Sequence, residues 1–308
     1  MESIKKIKNI RIKKSEIQRK RDGKIFQWVA FLVLTMFGLF CLYPFANVLL
    51  TSFSSLSDIV NSKALVIPYN FTLEAYRYIL SIPSIPRGFF ISVGVTFTGT
   101  ILAVFITSFA AYPLSKATLP GKKIFSFLII FTMFFGGGTV PMFILLRNLG
   151  FMGTNFFSLV GIVLPFCLGP FNVIILRNFF KTVPYSLVEA AQIDGAGEFR
   201  ILFTVMMPLS MSGIVTVALF EAVMYWNAWF WPMLLIRNPD YGTLALVLRS
   251  FIVQPVQPGV GEIPSESEML AETAKSAVII VSIVPLVIIY PFIQRFFQKG
   301  IVLGAVKG

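Results

Sequence analysis

Six long apolar runs, separated by polar connections, dominate the chain. Each run holds about 20 mostly apolar residues, the length that a helix needs to cross the hydrocarbon core of a bilayer. The runs are Phe26–Ser52, Phe89–Pro113, Ile124–Leu146, Phe157–Leu176, Met211–Ile236 and Ser276–Phe292. Several contain Gly or Pro, which bundled helices tolerate because neighbouring helices satisfy the freed backbone groups. The pattern therefore predicts an all-α integral membrane protein with six transmembrane helices.

The composition places the chain in the same class. Of the 308 residues, 56% are hydrophobic and 13% are charged, and the mean hydropathy is +0.81. A soluble domain of this length could not cover so much apolar surface with so few charges. The first apolar run is too long for a cleavable signal peptide, and no small-residue cleavage site follows it. We therefore expect this run to be retained as a membrane helix.

Positive charge is concentrated on alternate connections. Ten of the 26 Lys and Arg residues lie in residues 1–25, and the connection after the second run adds Lys116, Lys122 and Lys123. By the positive-inside rule, this bias predicts that both termini lie in the cytoplasm, which agrees with an even number of spans. The net charge of +12 then reflects topology and attraction to anionic lipid rather than nucleic-acid binding. The predicted organisation is a basic tail (1–25), a six-helix domain (26–293) and a cytoplasmic tail (294–308).

Residues for covalent catalysis are missing from the sequence. There is no histidine, and the two cysteines, Cys41 and Cys167, lie in separate apolar runs, so no disulfide framework or Cys-x-x-Cys metal site is supported. The Gly136-Gly137-Gly138 triplet has no following Lys-Ser or Lys-Thr, so it predicts a flexible or close-packed point rather than a phosphate-binding loop. We predict no catalytic residue, no metal site and no cofactor in this chain. ATP, if it drives the protein, must be hydrolysed by another subunit.

The most informative polar segment is EAAQIDGAGEFRILFTVMMP, between the fourth and fifth apolar runs. The spacing Ser186-Leu187-Val188-Glu189 predicts a capping box at the start of a first helix. Asp194-Gly195 is a turn signal that ends this helix, and Gly suits the unusual backbone conformation expected there. A second amphipathic helix is predicted to begin at Glu198 and to be stopped by Pro208. Taken alone, the Ser-x-x-Glu pattern would indicate no more than a helix cap.

The spacing of the whole segment resembles the EAA loop of ABC-importer permeases. The matching positions are Glu189, Ala190, Ala191, Gly195 and Pro208. Val205 and Met207 replace the family's Ile and Leu conservatively. The resemblance implies that residues 184–208 form a cytoplasmic helix-turn-helix, Asp194 included, that sits in a cleft of an ATPase subunit and couples ATP hydrolysis to transport.

Other segments extend this resemblance over most of the chain. The C-terminal sequence FQKGIVLGAVKG resembles the end of maltose-type sugar permeases, and Trp226-Asn227 resembles the family's Trp-Asn pair. The chain is thereby identified as a member of the carbohydrate-importer permeases, MalG-type and LplC-like. The family implies the type I ABC-importer permease (MetI-like) fold in a bacterial cell membrane. It also implies that Lys307 and Gly308 enter the interface between the ATPases.

The same resemblance implies a set of partners. These are a second homologous permease, two ATPase subunits that bind ATP and Mg, and an extracellular sugar-binding protein. The predicted function is therefore that of one permease subunit in an ATP-driven importer of sugars, in particular oligosaccharides. The predicted external connection, residues 237–275, contains five acidic residues and is either a solvated loop or a surface for a docking partner.

The fifth apolar run holds the candidate substrate-path residues. Glu221, Tyr225 and Trp229 recur at i, i+4 and i+8, so they share one face of a continuous helix. A carboxylate within a span is costly and faces a cavity or a partner, and aromatic rings can stack on sugars. Asn227 falls on the opposite face from Tyr225, so both can line one pocket only if the helix is broken. Alternatively, Glu221 bonds to another helix and the tryptophans pack or lie at the membrane interface.

A different class of function also remains open from the sequence. A self-contained secondary transporter could use Glu221 as a proton relay, in which case no ATPase would be needed and the EAA-like segment would be incidental. Such transporters are commonly built from inverted repeats, and the sequence shows no such repeat. Co-purification with an ATPase and a second permease would distinguish the importer from the secondary transporter.

Overall fold

A computed structural model of the chain describes residues 2–55, 58, 70–153, 156–253 and 266–305. The described part is helical and contains no strand; one isolated bridge joins Gly153 and Ile236. The α-helices are α1 (Glu2–Ser52), α2 (Glu74–Ser81), α3 (Ser84–Ser115), α4 (Lys122–Phe134), α5 (Thr139–Asn148), α6 (Phe157–Val163), α7 (Pro170–Thr182), α8 (Tyr185–Ile193), α9 (Glu198–Ile201), α10 (Met207–Leu209), α11 (Met211–Trp226), α12 (Phe230–Leu235), α13 (Leu244–Val253) and α14 (Glu266–Ala305). Two 3-10 turns (Leu164–Phe166 and Pro239–Tyr241) and one π-helical turn (Leu202–Met206) complete the described elements.

Three straight segments are long and apolar enough to cross a membrane, namely Phe26–Ser52, Ser84–Ser115 and Glu272–Phe292. They coincide with the first, second and sixth predicted spans. With three bent helix pairs counted as single spans, the described residues hold up to six. The predicted all-α class is therefore confirmed, and three to six membrane spans fit the described residues. The predicted fifth span, Met211–Ile236, is not one continuous helix, because α11 ends at Trp226, and the third bent pair instead joins Glu198–Leu209 to Met211–Trp226.

The third and fourth predicted spans are broken where the sequence places Gly and Pro. Helices α4 and α5 meet at 107°, across a gap that ends at Gly138 with a φ of 84°. Helices α6 and α7 meet at 51°, across a break between the 3-10 turn and Pro170. Pro170 lacks a backbone N–H and so favours the first turn of a new helix over the interior of a continuous one.

Helix α3 is the centre of the bundle, and it packs against α7, α11 and α13. Small buried residues let these neighbours approach closely. At Gly99, an added Cβ would lie 2.7 Å from the ring of Tyr225 on α11. At Gly88, an added Cβ would lie 3.2 Å from the main-chain oxygen of Gly242. The hydroxyl of Ser92 accepts a hydrogen bond from the Leu244 N–H at 2.8 Å, which fixes the start of α13.

The outside of the bundle is apolar. Between Phe26 and Leu49, α1 exposes most of its large apolar side chains, and it packs against α14. The same holds for α4, which has no buried residue. Apolar side chains on the outer surface of a bundle suit contact with lipid or with another membrane helix. The division of the chain into residues 1–25, 26–293 and 294–308 stays a prediction, and α14 continues through residue 293 to Ala305.

The described part of the predicted external connection, residues 237–275, is more ordered than a solvated loop. This part forms a 3-10 turn, α13, whose Leu244 and Val247 are buried, and the start of α14. Asp240 pairs with Arg87 at the start of α3. Residues 254–265 of this connection, like Lys307 and Gly308 of the predicted ATPase contact, lie outside the described residues.

Candidate functional site

Residues 185–209 form two short helices joined by a tight turn; we call them the hairpin. Helix α8 ends in a Schellman motif, in which Ala196 N–H donates to the Ala191 carbonyl at 2.9 Å and Gly195 N–H donates to the Gln192 carbonyl at 3.0 Å. Gly195 has a φ of 76°, in the left-handed region that favours glycine. The sequence-predicted turn at Asp194-Gly195, with its unusual backbone conformation, is thus confirmed.

The predicted capping box is wrong. Helix α8 begins at Tyr185, so Ser186 lies inside its first turn, and no side chain caps the helix. The residue before the helix is Pro184, whose extended backbone (φ −57°, ψ 128°) turns the chain into the helix. Glu189 is consequently free of a capping role, and its side chain is exposed.

The predicted stop at Pro208 is also wrong. The second helix continues from Glu198 through Pro208 to Leu209 and then bends by 87° into α11. Before Pro208 the helix widens into a π-helical turn, in which Met207 N–H donates to the Leu202 carbonyl. A proline disrupts the usual i to i−4 bonding of an α-helix, and a widened turn is one place where a helix absorbs such a disruption.

The inner face of the hairpin is built into the core of the bundle. Val188, Ile201, Leu202 and Met206 are buried, and they share a cluster with side chains of α3 and α7. Ala191 packs against the same cluster. The hairpin is therefore held rigidly against the membrane helices, and a force applied to it reaches α3 and α7 directly.

The outer face of the hairpin is exposed and mixes carboxylates with apolar groups. Glu189 and Ala190 are exposed, and the side chains of Ile193 and Phe199 are 87% and 70% exposed. Large apolar side chains beside a charge, on a rigid polar loop, are typical of a protein docking surface. Five of the residues predicted for coupling are exposed, namely Glu189, Ala190, Asp194, Gly195 and Pro208. Ala191 is half-buried, between the outer face and the core.

A clamp that the sequence analysis missed ties the hairpin to α3. The Glu198 carboxylate accepts hydrogen bonds from the Tyr112 hydroxyl (2.6 Å) and from the Lys116 ammonium group. The same ammonium group lies 4.6 Å from the centre of the Tyr112 ring. Hydrogen bonds from Lys116 and then Tyr112 hold the pKa of Glu198 below its usual range. No local pattern reveals this clamp, because 82 residues or more separate Glu198 from its partners.

At the opposite end of the bundle, a cavity of about 250 Å³ opens where α11 ends. The helix stops at Trp226, and Asn227 caps it by donating from Nδ2 to the Val223 carbonyl at 2.8 Å. Because the helix is broken at this point, Tyr225 and Asn227 line the same cavity. The remaining walls are mainly aromatic and come from Phe166, Trp229, Phe230 and Trp231, with Ile162, Met224 and Ala228.

Trp229 is not on one helix face with Glu221 and Tyr225, because α11 ends three residues before it. Its ring is 39% exposed and carries the guanidinium of Arg249 at 4.7 Å from its centre. The prediction of a shared face of three residues is therefore wrong for Trp229. The Trp229 ring nevertheless lines the cavity, because α11 ends before it.

Glu221 does not line the cavity, because its side chain is buried one turn deeper in α11 (1% exposed). Its Oε1 accepts a hydrogen bond from Asn172 Nδ2 of α7 at 2.7 Å. Its Oε2 is buried and has no hydrogen-bond partner among the described residues. This arrangement matches the structural alternative for Glu221, a bond between two helices.

Tyr225 combines a wall position with a packing role. Its hydroxyl donates a hydrogen bond to the Val163 carbonyl at 3.0 Å. Its ring is fully buried against Gly99. Trp226, next to it, donates from Nε1 to the Ser282 carbonyl of α14 at 2.9 Å. Both aromatic residues thus fix α11 within the bundle.

Comparisons with known proteins agree on one family. The model of the family "Binding-protein-dependent transport system inner membrane component" matches residues 119–303. The chain is 38% identical over 288 residues to the polygalacturonan/rhamnogalacturonan transport system permease protein YtcP of Bacillus subtilis (strain 168), covering 93% of this chain and 99% of that protein. It is 34% identical over 289 residues to the protein LplC of the same organism, covering 94% and 97%.

A solved structure shares the fold. It is described as the crystal structure of a bacterial ABC transporter involved in the import of the acidic polysaccharide alginate. The matched chain superimposes with a TM-score of 0.79 at 31% sequence identity, over 90% of this chain and 98% of that chain.

Proposed function

The chain belongs to the family of binding-protein-dependent transport system inner membrane components, and from this membership we propose that it carries oligosaccharides across the membrane as one permease of an ATP-driven importer. It is a non-catalytic, multi-pass subunit of the bacterial inner membrane, so ATP and Mg belong to a separate ATPase. A second, homologous permease completes the translocation path, and two ATPases and an extracellular sugar-binding protein complete the transporter.

The exposed outer face of the hairpin carries this proposal. We assign it to a cleft of the ATPase, with Glu189 pairing with a basic side chain and Ile193 entering an apolar pocket. The distribution of Lys and Arg supports a cytoplasmic position of the hairpin and of both termini. The cavity at the end of α11 then faces the outside, where the sugar-binding protein delivers its ligand.

The cavity fits a carbohydrate by its chemistry. Aromatic rings stack on the apolar faces of sugars, and Asn227 offers hydrogen bonds to hydroxyl groups. Arg249, stacked on Trp229, places a positive charge beside the cavity and would favour an acidic sugar. The names of the similar proteins, which mention polygalacturonan, rhamnogalacturonan and the acidic polysaccharide alginate, point to the same class.

The test is reconstitution of the chain with its partner permease, ATPases and binding protein in liposomes. We expect oligosaccharide uptake that depends on ATP, with acidic oligosaccharides preferred over neutral ones of equal length. Uptake that persists without the ATPases and follows a proton gradient would instead support the secondary transporter.

A pair of matched variants tests the docking face separately. Ile193→Ser should weaken binding of the ATPases by about tenfold or more, because burying an aliphatic side chain contributes roughly 1.5–3 kcal/mol. Leu149→Ser, at a side chain that is 60% exposed beyond the end of α5, should leave binding unchanged. Equal ATPase binding by both variants would contradict the assignment of the hairpin to the ATPase cleft.

A further inference from the structure

Three basic side chains gather where α4 packs against α7, at the end of the bundle that carries the hairpin. Lys122 is the first residue of α4, Lys181 lies in the last turn of α7, and Arg177 lies one turn before it. Arg177 and Lys181 are four residues apart and therefore share one face of α7. The like charges of Arg177 and Lys122 repel the charge of Lys181. The three positive charges thus form one cluster, which we call the basic cluster.

Nothing in the described part of the chain neutralises the basic cluster. None of the ion pairs among the described residues includes a member of the basic cluster. The Glu198 carboxylate is already bonded to Lys116 and Tyr112. Lys122 donates to the main-chain oxygen of Lys116, which carries only a partial negative charge. The Nε of Arg177 is buried and has no hydrogen-bond partner among the described residues. A buried donor without an acceptor costs free energy, which an acceptor arriving from outside the chain would recover.

The helix dipole accounts for only part of this arrangement. A cation in the last turn of a helix interacts favourably with the free carbonyl groups there, which explains Lys181. The effect falls off within that turn, so it does not explain Arg177. An oxygen-rich anion would explain both, because ammonium and guanidinium groups donate charge-assisted hydrogen bonds to phosphate oxygens.

We propose that Arg177, Lys181 and Lys122 bind the phosphate group of an anionic phospholipid in the membrane leaflet on the same side as the hairpin. Basic pockets between membrane helices on the cytoplasmic side are known binding sites for such head groups. From Lys122 onward, α4 exposes a run of apolar side chains, including Ile124 and Phe125 at 66% and 54%, along which acyl chains can lie. A free phosphate ion would use the charges but not this apolar surface.

Native mass spectrometry of the assembled transporter tests the proposal, with phosphatidylglycerol as probe and phosphatidylcholine as the zwitterionic reference. We expect the wild type to bind phosphatidylglycerol more tightly than phosphatidylcholine. Each removed cluster residue should weaken phosphatidylglycerol binding roughly fivefold, since one charge-assisted hydrogen bond to the phosphate, about 1 kcal/mol, is lost. The Arg177→Gln/Lys181→Gln variant should therefore lose about 25-fold, and Lys181→Arg should bind like the wild type.

Lys123→Gln is the matched control, because Lys123 is exposed and adjoins Lys122 but is not part of the basic cluster. It should change phosphatidylglycerol binding little. If Arg177→Gln prevents assembly, the exposed Lys181 can be changed alone, with a roughly fivefold loss expected.

Four results would overturn the proposal. The first is equal binding of phosphatidylglycerol by wild type and variants, and the second is no preference over phosphatidylcholine. The third is displacement of the lipid by an equal concentration of inorganic phosphate, which would indicate a free-anion site. The fourth is a cross-link from Lys181 to an acidic residue of the ATPase, which would make the basic cluster a protein contact.

Discussion

At the scale of single residues, Gly195 and Gly99 are both required to be glycine, but for different reasons. Gly195 has open space around its missing Cβ but a φ of 76°. Gly99 has ordinary helical backbone but no space, because the ring of Tyr225 occupies it. Substitution therefore strains the backbone at the first position and the packing at the second.

We expect Gly195→Leu to destabilise the hairpin by about 1–2 kcal/mol, since an L-residue pays that amount in the left-handed region. Gly195→Asn should be milder, because Asn tolerates this conformation. Gly197→Ala is the control, since its site is equally open and its φ is −72°. Sugar-stimulated ATP hydrolysis of the assembled transporter measures the effect. Equal activity of the Leu and Asn variants would show that the left-handed turn is not required.

We expect Gly99→Ala to cost about 1–3 kcal/mol through overpacking against Tyr225. Gly94→Ala lies on the same helix with nothing within 4 Å of its added Cβ, so it should be neutral or slightly stabilising. Thermal unfolding of the purified assembly compares the two variants. A Gly94→Ala variant as unstable as Gly99→Ala would mean that helix α3, rather than this contact, limits stability.

At the scale of elements, the hairpin is joined to α3 both by an apolar core and by the Glu198 clamp. The sequence predicted two helices here from cap, turn and proline signals, but it could not reveal the clamp. Tyr112 and Lys116 end one helix and Glu198 begins another, and only the packing of these helices brings them together. An exposed ion pair contributes little to stability. We therefore expect the clamp to fix the position of the hairpin rather than to stabilise the fold.

We expect Glu198→Ala to lower ATP-coupled uptake severalfold while the transporter still assembles. The clamp should be intact at neutral pH and be lost only as the pH falls through the lowered pKa of Glu198, because the charged carboxylate is the form that its partners favour. Glu272→Ala breaks a comparable exposed pair with Lys275 at the other end and should leave uptake unchanged. A Glu198→Ala variant that transports at the wild-type rate would remove the clamp from the coupling path.

At the scale of the whole molecule, the two candidate sites lie at opposite ends of α11. The helix begins beside the hairpin at Met211 and ends at the cavity with Trp226. It packs against α3 and α7, which also hold the hairpin. A movement of the hairpin therefore reaches the cavity through a rigid helix rather than through a loop.

This geometry separates the roles of Glu221 and Trp229. Trp229→Ala should lower uptake with assembly intact, because the ring lines the cavity. Glu221→Gln should preserve uptake, because a Gln oxygen still accepts the bond from Asn172, whereas Glu221→Leu leaves Asn172 buried without that acceptor and should lower the yield of complex. Uptake and yield are measured on the same preparations. Loss of uptake in Glu221→Gln at full yield would return Glu221 to the substrate path.

The sequence by itself determined the class, the three straight spans and the turn of the hairpin. Membrane spans are visible in sequence because a bilayer imposes a length of about 20 apolar residues on each local segment. The turn at Gly195 is visible because positive φ is a local demand that glycine meets. The misplaced start of α8 and the passage of the helix through Pro208 show the limit of such rules, since neighbouring backbone geometry decided both.

Only the tertiary structure decided which polar groups meet. Glu221 is paired with Asn172 rather than open to the cavity, and Asn227 joins Tyr225 in the cavity because α11 breaks after Trp226. The basic cluster and the Glu198 clamp likewise depend on helices that are distant in sequence. The physical reason is that periodicity predicts the face of a helix, whereas the partner of that face depends on how all the helices pack.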